Sequence, residues 1–249
     1  MSGANEYTRR RRRRFRSRNI SLVAITVDEG IKGYRDKSIS VIRKNCVLWK
    51  IPYHIASFKE YIGYTMDKIA PFSTSITPCA YCGVFRRYVL NKKAREINAD
   101  VIITGHNLDD TAQSVLMNIA RGDVERLARM GPHTSIQKGL IPRAEPLRTI
   151  PEKEIYLYAV LNQVKFYSGE CPYAERAIRN LYRDILYKLE RNSPGTRHAI
   201  VGAYDCIAPL LKQKFPPAKL TSCKQCKEPT MQKICMACEL KEKLKIRFY

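Results

Sequence analysis

The chain alternates between short apolar runs and segments with a mixed apolar and polar pattern. Residues 20–27 and 51–58 are rich in β-branched and aromatic side chains, which is typical of strands, whereas residues 38–48 and 61–69 have the mixed pattern of helices. Strands that alternate with helices favour a parallel sheet, because each helix carries the chain back to the start of the next strand.

A third strand is predicted at residues 101–104, a β-branched apolar run of the kind found in buried parallel strands. The helix before it is expected to pack through Leu90, Ala94 and Ile97, which leaves its other faces to basic side chains. These basic residues are Arg86, Arg87, Lys92, Lys93 and Arg95. The helix after the strand is expected to begin with Asp109 as its N-cap. Its predicted packing positions are Ala112, Val115, Leu116 and Ile119.

Further helices are predicted at residues 151–161 and 173–191, with a less regular helical pattern at 195–210. Pro151 opens the first of them. The loop at residues 132–146 either connects elements or bends over a ligand.

Together these patterns predict an α/β fold with a doubly wound, mostly parallel sheet and a small C-terminal module. We expect a disordered tail at residues 1–18, one main domain at residues 19–212 and the module at residues 213–249.

The charge of the chain points to a polyanionic partner. Its 249 residues carry a formal net charge of +22, and residues 1–18 alone hold eight arginines. That tail is either an RNA-binding or targeting arm or simply a solvated segment. No run of about 18 apolar residues and no signal peptide is visible, so we expect an intracellular protein without a membrane partner.

Cysteine spacing predicts metal chemistry, since six of the nine cysteines form three CxxC pairs. Cys223, Cys226, Cys235 and Cys238 form a compact array that suits a structural Zn²⁺ site, with an iron-sulfur centre as the main alternative. The lysines around the array either grip nucleic acid or only solvate it. Cys46 and Cys206 have no partners in the sequence, so packing explains them best.

A polar turn, Gly105-His106-Asn107-Leu108-Asp109-Asp110, follows the 101–104 strand. Ligands of doubly wound sheets bind at the carboxyl ends of the strands, which is where this turn would emerge. An aspartate in such a turn can orient Mg²⁺ or a polar substrate group.

Several separated motifs, in order, resemble the tRNA 2-thiolation enzymes of the ATP-pyrophosphatase fold. They are Asp28-Glu-Gly-Ile-Lys-Gly-Tyr-Arg35, Cys79-Ala-Tyr-Cys82-Gly-Val-Phe-Arg-Arg87, Thr104-Gly-His-Asn-Leu-Asp-Asp110, Glu152-Lys-Glu-Ile155, Glu170-Cys171 and the cysteine-rich C-terminus. The resemblance covers nearly everything after Ile20.

The resemblance implies that Cys79, Cys82 and Cys171 hold a [4Fe-4S] cluster whose open iron binds sulfur. Direct persulfide chemistry between these cysteines is the mechanistic alternative, and simple packing is the alternative for Cys171 alone. The resemblance also implies that four residues face ATP and Mg²⁺, namely Asp28, Gly105, His106 and Asp110. Arg86 would then act as an electrostatic clamp, because arginine does not give up its proton.

The implied reaction is 2-thiolation of the wobble uridine (U34) in the tRNAs for Lys, Gln and Glu. The enzyme would adenylate O2 of the uridine, and sulfur from a ubiquitin-like carrier would displace AMP. A paralogous second subunit and a cytoplasmic location are implied as well.

One family feature, a Ser-Gly-Gly-x-Asp-Ser phosphate loop expected upstream of Ile20, is not found in residues 1–19. This motivates an alternative function, a non-catalytic tRNA-binding scaffold that has lost ATP activation. A further alternative is a zinc-dependent nucleic-acid regulator that uses the arginine-rich tail.

Overall fold

The structure, a computed structural model, describes residues 20–73, 76–131, 137, 139–174 and 178–248. The predicted disordered tail at residues 1–18 therefore lies outside the described residues, as does part of the predicted loop at residues 132–146.

The first unit of the fold is a strand, a helix and a parallel strand, as predicted. Strand β1 (Ala24–Asp28) leads into helix α1 (Arg35–Trp49), and strand β2 (Tyr53–Ser57) returns beside β1. Ala24 lies opposite Tyr53 and Asp28 lies opposite Ser57. This register brings the carboxyl ends of both strands to one edge.

The prediction of one continuous helix at residues 61–69 is wrong, because two short helices occupy this region. Helix α2 (Phe58–Tyr61) and helix α3 (Met66–Ile69) are separated by a turn in which Gly63 has a φ of 96°. Ser57 caps the first helix and Thr65 caps the second, each through its side-chain oxygen. Three consecutive residues, Ala70–Phe72, then form a single 3₁₀ turn.

Helix α4 (Pro78–Glu96) is the central helix of the first core. Thr77 caps it by accepting a hydrogen bond of 3.3 Å from the Ala80 N–H, and Pro78 occupies its first turn. Its buried face is formed by Tyr81, Phe85 and Val89, four residues apart, which pack with β1, β2 and the C-terminal module. The predicted packing face was incomplete, because apolar spacing was recognised only in the second half of the helix, where Ala94 is indeed buried.

The second strand pair consists of β3 (Ile102–Ile103) and β4 (Arg143–Ala144), which are also parallel. Within the described residues, the two parallel pairs form separate two-stranded sheets. The predicted α/β class with parallel strands is thus confirmed.

Helix α5 (Leu108–Ala120) follows β3 and is capped by Asn107, not by Asp109 as predicted. Asn107 and Asp110 form a reciprocal capping box, which places Asp109 inside the first turn and buries it. Ile119 is 55% exposed, so its predicted packing role is wrong.

A helical half packs around α5. It contains α6 (Val124–Ala128) and, after α7 (Glu152–Leu161), helices α8 (Ile178–Asn192) and α9 (Thr196–Lys214). Helix α7 itself has no buried residue, and the Glu152 N–H at its start donates to Asp109 Oδ2 at 2.8 Å. One core cluster joins Leu108 and Ala112 to Leu186 of α8 and Val201 of α9. A neighbouring cluster joins Val115 and Leu127 to Tyr204 and Ala208.

The C-terminal module consists of the antiparallel strands β5 (Thr221–Ser222) and β6 (Pro229–Thr230), followed by helix α10 (Met236–Phe248). Cys223 and Leu244 of the module share one core with Phe85 and Val89 of α4. No helix among the described residues combines the length and the apolar character that crossing a bilayer requires.

The buried ion pair between Asp109 and Arg197 yields a stability prediction. Asp109 Oδ1 lies 2.7 Å from Arg197 Nη1, and both side chains are less than 10% exposed. Asp109→Ala leaves the arginine charge buried without its closest partner, so we expect a loss of about 3–5 kcal/mol in the free energy of unfolding, measured in urea. Asp110→Ala is the matched control, since its ion pair with Arg179 is far more exposed, and we expect about 1 kcal/mol. Equal losses in the two variants would contradict this assignment.

Candidate active site and metal centres

The first turn of α4 carries two thiols, and a third reaches it from the segment between α7 and α8. Cys79 is exposed, whereas Cys82 and Cys171 are half-buried. The Cys171 segment is held against α3 and α4, because Cys79 Sγ lies 3.6 Å from the Tyr173 carbonyl oxygen and the Tyr173 hydroxyl donates to Asp67 at 2.8 Å. The structure thus brings the three predicted cysteines to one side of the first core.

The three thiols lie close enough for the charge of one to affect the pKa of another. Burial raises the pKa of Cys82 to about 11, opposed by the Arg86 guanidinium and reinforced by the nearby acidic groups Glu29, Cys171 and Cys79. Partial burial, and then a Cys171 thiolate, raise the pKa of Cys79. A bound cation reverses such shifts, because metal ligation deprotonates thiols.

The chemistry of this donor set fits an iron-sulfur cluster better than a single ion. Three thiols from two chain segments are soft ligands, and three of them leave one iron of a [4Fe-4S] cluster without a protein ligand. A cluster also spreads its ligands more widely than one metal ion does. The role of Cys79, Cys82 and Cys171 as ligands remains a prediction.

Glu29, which the sequence reasoning missed, lies directly behind this site. Its carboxylate is 2% exposed and lies 2.8 Å from Arg86 Nε and 2.6 Å from Arg35 Nε. Arg86 Nη2 in turn donates to Cys82 Sγ at 3.4 Å. Asp28, which was predicted to face the nucleotide, accepts a hydrogen bond from the Gly30 N–H at 2.9 Å and so shapes the turn after β1.

The predicted turn after β3 forms a second polar cluster with Glu145, which directly follows β4, and with Arg179 of α8. His106 Nδ1 lies 3.0 Å from Thr104 Oγ1 and 3.1 Å from Glu145 Oε1. No side chain crowds the position of Gly105. Asp110 Oδ1 accepts from Arg179 Nη1 at 3.3 Å.

Sequence reasoning did not identify Glu145 or Arg179 as site residues. Both are distant from the turn in sequence, and neither lies in a recognised motif. Their hydrogen bonds to His106 and Asp110 place an acidic side chain, Glu145, and a positively charged one, Arg179, at the carboxyl end of β3. Doubly wound folds bind ligands at this end of their strands.

The C-terminal module forms the second candidate metal centre. The sulfur atoms of Cys223, Cys226, Cys235 and Cys238 all lie within 4.8 Å of one another, and no other such group of possible metal ligands occurs in the described part of the chain. Burial opposes ionisation of Cys223, but hydrogen bonds from backbone N–H groups outweigh it and lower the pKa to about 6. Four converging thiols form a closed set, which is the arrangement of a structural tetrahedral site.

This module is attached to α4 by buried polar contacts. Glu228 forms an ion pair with Arg95 and accepts a hydrogen bond from Asn91 Nδ2 at 3.3 Å. Asn91 also bonds the Gly139 carbonyl and the Ile141 N–H. The prediction that Arg95 lines a free basic face is therefore wrong, since it binds the module.

Comparison with known proteins defines the class of protein to which this chain belongs. The profile of the PP-loop domain family matches residues 5–190, so the chain is a PP-loop domain protein. It is 38% identical over 243 residues to the tRNA 2-thiolation protein NcsA of Haloferax volcanii, covering 92% of this chain and 75% of that protein. It is 37% identical over 225 residues to cytoplasmic tRNA 2-thiolation protein 1 of Caenorhabditis elegans, covering 90% of this chain and 60% of that protein. The chain belongs to this family of tRNA 2-thiolation proteins, as its motifs suggested.

A solved structure supports the same assignment. The U34-tRNA thiolase NcsA from Methanococcus maripaludis with its [4Fe-4S] cluster superimposes with a TM-score of 0.77 and is 37% identical. The match covers 90% of this chain and 71% of that one. This chain therefore spans only part of the length of its relatives, down to 60% for the nematode protein.

The contact between His106 and Glu145 generates a pH prediction. The Glu145 hydrogen bond raises the pKa of His106, with burial opposing it. The contact therefore stabilises the fold fully below the unfolded histidine pKa of about 6.5 and is lost as the pH rises through the higher folded value. NMR titration of the imidazole should show its pKa falling in Glu145→Gln and unchanged in the control Glu125→Gln, which lies in the exposed pair with Arg129. An unchanged pKa in Glu145→Gln would contradict the assigned hydrogen bond.

Proposed function

We propose that this chain is a tRNA sulfurtransferase subunit that converts the wobble uridine, U34, to 2-thiouridine. The observation that carries the proposal is the position of Cys79, Cys82 and Cys171 on one side of the first core, with Arg86 beside Cys82, in a chain whose relatives are named for tRNA 2-thiolation. We propose the tRNAs for Lys, Gln and Glu as its substrates and the cytoplasm as its location.

Cys79, Cys82 and Cys171 would hold the [4Fe-4S] cluster. When bound, the cluster supplies an iron without a protein ligand, at which a sulfur atom can bind. Cys79 is exposed, so this side of the site is open to a macromolecular substrate. Arg86, with 55% of its side chain exposed, offers a permanent positive charge there.

The polar turn after β3 would bind ATP with Mg²⁺. Asp110 supplies a carboxylate for the metal, and Gly105 leaves room for close approach of the nucleotide. Arg179 supplies positive charge next to that carboxylate, and His106, whose pKa is raised by the hydrogen bond to Glu145, lies in the same turn. In the proposed reaction, O2 of the uridine bonds to the α-phosphorus of ATP and pyrophosphate leaves. Sulfur then bonds to C2, and the C2–O2 bond breaks to release AMP.

The net charge of +22 supports tRNA as the polyanionic partner. We propose a ubiquitin-like protein as the sulfur carrier and a paralogous chain as a second subunit. The C-terminal cysteines would bind Zn²⁺ and, through Glu228 and the shared core, stabilise the helix that carries Cys79 and Cys82.

The function is tested by mass spectrometry of wobble nucleosides in cells that lack their own subunit and express this chain instead. We expect 2-thiouridine to return with the native chain and with Cys206→Ala, and to be absent with Cys79→Ala or Cys171→Ala. Cys206 is the matched control because it is an exposed cysteine outside the site. Tight tRNA binding without any 2-thiouridine would contradict the proposal and support a scaffold role.

The zinc site gives a separate prediction. We expect the purified chain to contain one Zn²⁺, and Cys235→Ser to lose it with a clear fall in the melting temperature, because four-cysteine sites contribute directly to folding free energy. Inductively coupled plasma mass spectrometry measures the zinc content, and thermal unfolding measures the melting temperature. Cys46→Ser should keep the zinc, since Cys46 is buried in α1, away from the module. Retention of full zinc content by Cys235→Ser would contradict the four-cysteine site.

A further inference from the structure

The buried carboxylate of Glu29 is shared by two arginines from different helices. Arg35 comes from the first turn of α1 and Arg86 from α4, and their Nε atoms lie 2.6 Å and 2.8 Å from the two carboxylate oxygens. Arg35 also donates through Nη2 to the Val27 carbonyl oxygen. The carboxylate therefore links the end of β1 to two helices.

Glu29 is placed by backbone contacts that do not involve the arginines. Its carbonyl oxygen accepts a hydrogen bond of 2.8 Å from the Met66 N–H. The next residue, Gly30, has a φ of 67°, and a Cβ there would come within 2.6 Å of the Thr65 side chain. Because the turn is fixed on both sides, the carboxylate has a fixed position behind α4.

Arg86 makes two contacts through two different nitrogens of its guanidinium. Nε donates to Glu29 Oε1 at 2.8 Å, while Nη2 donates to Cys82 Sγ at 3.4 Å. The guanidinium is planar, so fixing Nε also fixes the direction of Nη2. The side chain is 55% exposed, and without an anchor a long exposed arginine samples many rotamers.

The local charges favour an anion at the sulfur. Glu29 contributes one negative charge, and Arg35 and Arg86 contribute two positive charges, which leaves one positive charge beside Cys82. Hydrogen bonds and charges around a ligating sulfur are the means by which a protein adjusts an iron-sulfur site.

We propose that Glu29 is a positioning residue that anchors Arg86 so that its guanidinium donates to the Cys82 sulfur. The proposal rests on the proposed function, in which Cys82 is a cluster ligand, and it assigns to Glu29 an effect on that ligand through Arg86 alone. Glu29 itself touches neither the sulfur nor the substrate in this account.

The change in the reduction potential of the cluster tests the proposal, because the two possible effects of a substitution at Glu29 have opposite signs. Glu29→Met removes a negative charge, and through space alone this change would raise the potential. Loss of the positioned N–H···S hydrogen bond lowers the potential instead. We expect Glu29→Met to lower the potential, as Arg86→Ala does, and the shift of the double variant to be smaller than the sum of the two single shifts. A raised potential in Glu29→Met, or additive shifts in the double variant, would overturn the proposal.

Arg35→Lys is the matched control, because it keeps a positive charge at the same carboxylate and lies away from Cys82. We expect its potential to match that of the native chain, whereas a purely structural role for Glu29 would shift both variants alike. If Glu29→Met does not fold, the double variant Glu29→Met with Arg35→Met takes its place with the same expected sign, since it removes the acceptor for Arg86 without leaving the Arg35 charge buried and unpaired.

A second measurement separates this inference from the proposed function. In the zinc-loaded, iron-free chain, the NMR order parameter of the Arg86 Nε–H bond should be about 0.85, the value of a rigid backbone N–H. It should fall below about 0.6, the range of flexible segments, in Glu29→Met. A mobile Arg86 in the native chain would overturn the anchoring. If the native chain binds no cluster but Arg86 is rigid only with Glu29 present, the proposed cofactor is wrong while the anchoring stands.

Discussion

The structure depends above all on the packing of helix α4. Tyr81, Phe85 and Val89 form its buried face, and the same core includes β1, β2 and the cysteines of the C-terminal module. The first turn of this helix carries Cys79 and Cys82, and its later turns bind the module through Asn91 and Arg95. Anything that loosens α4 therefore disturbs the candidate cluster site and the four-cysteine site together.

The two candidate metal centres differ in a way that fits their proposed roles. The four C-terminal thiols converge within 4.8 Å, three of them buried, as expected for a closed structural site. Cys79, Cys82 and Cys171 instead lie at the edge of the core, with Cys79 reaching solvent and Arg86 next to Cys82. A reactive centre needs this exposure, because sulfur must arrive at it and leave it for a macromolecular substrate.

Much of the fold followed from the sequence, because apolar periodicity and turn residues report local structure. Strands β1, β2 and β3 and most of the longer helices were predicted on that basis, and the four-cysteine array was predicted from cysteine spacing. Strand β4 was missed, because it lies in a stretch that was predicted to be a loop. Glu29 and Glu228 were missed because their roles depend on distant partners, Arg86 and Arg95, and a buried acid in a turn looks like a solvated one in sequence. The N-cap was assigned to Asp109 for a related reason: Asn107 is an equally good cap, and only the buried Arg197 explains why Asp109 lies inside the helix. The prediction that Cys171 is a ligand depends on the family resemblance, since no local pattern joins this cysteine to Cys79 and Cys82.

The central claim is that three cysteines of this chain, Cys79, Cys82 and Cys171, form one iron-sulfur site. Mössbauer spectroscopy of the anaerobically prepared, ⁵⁷Fe-loaded chain tests it most directly. The account predicts a [4Fe-4S] spectrum in which one iron is distinct from the others, and the loss of that spectrum in Cys171→Ala but not in Cys206→Ala. An identical cluster spectrum in Cys171→Ala, or a native chain that binds zinc but no iron, would contradict it.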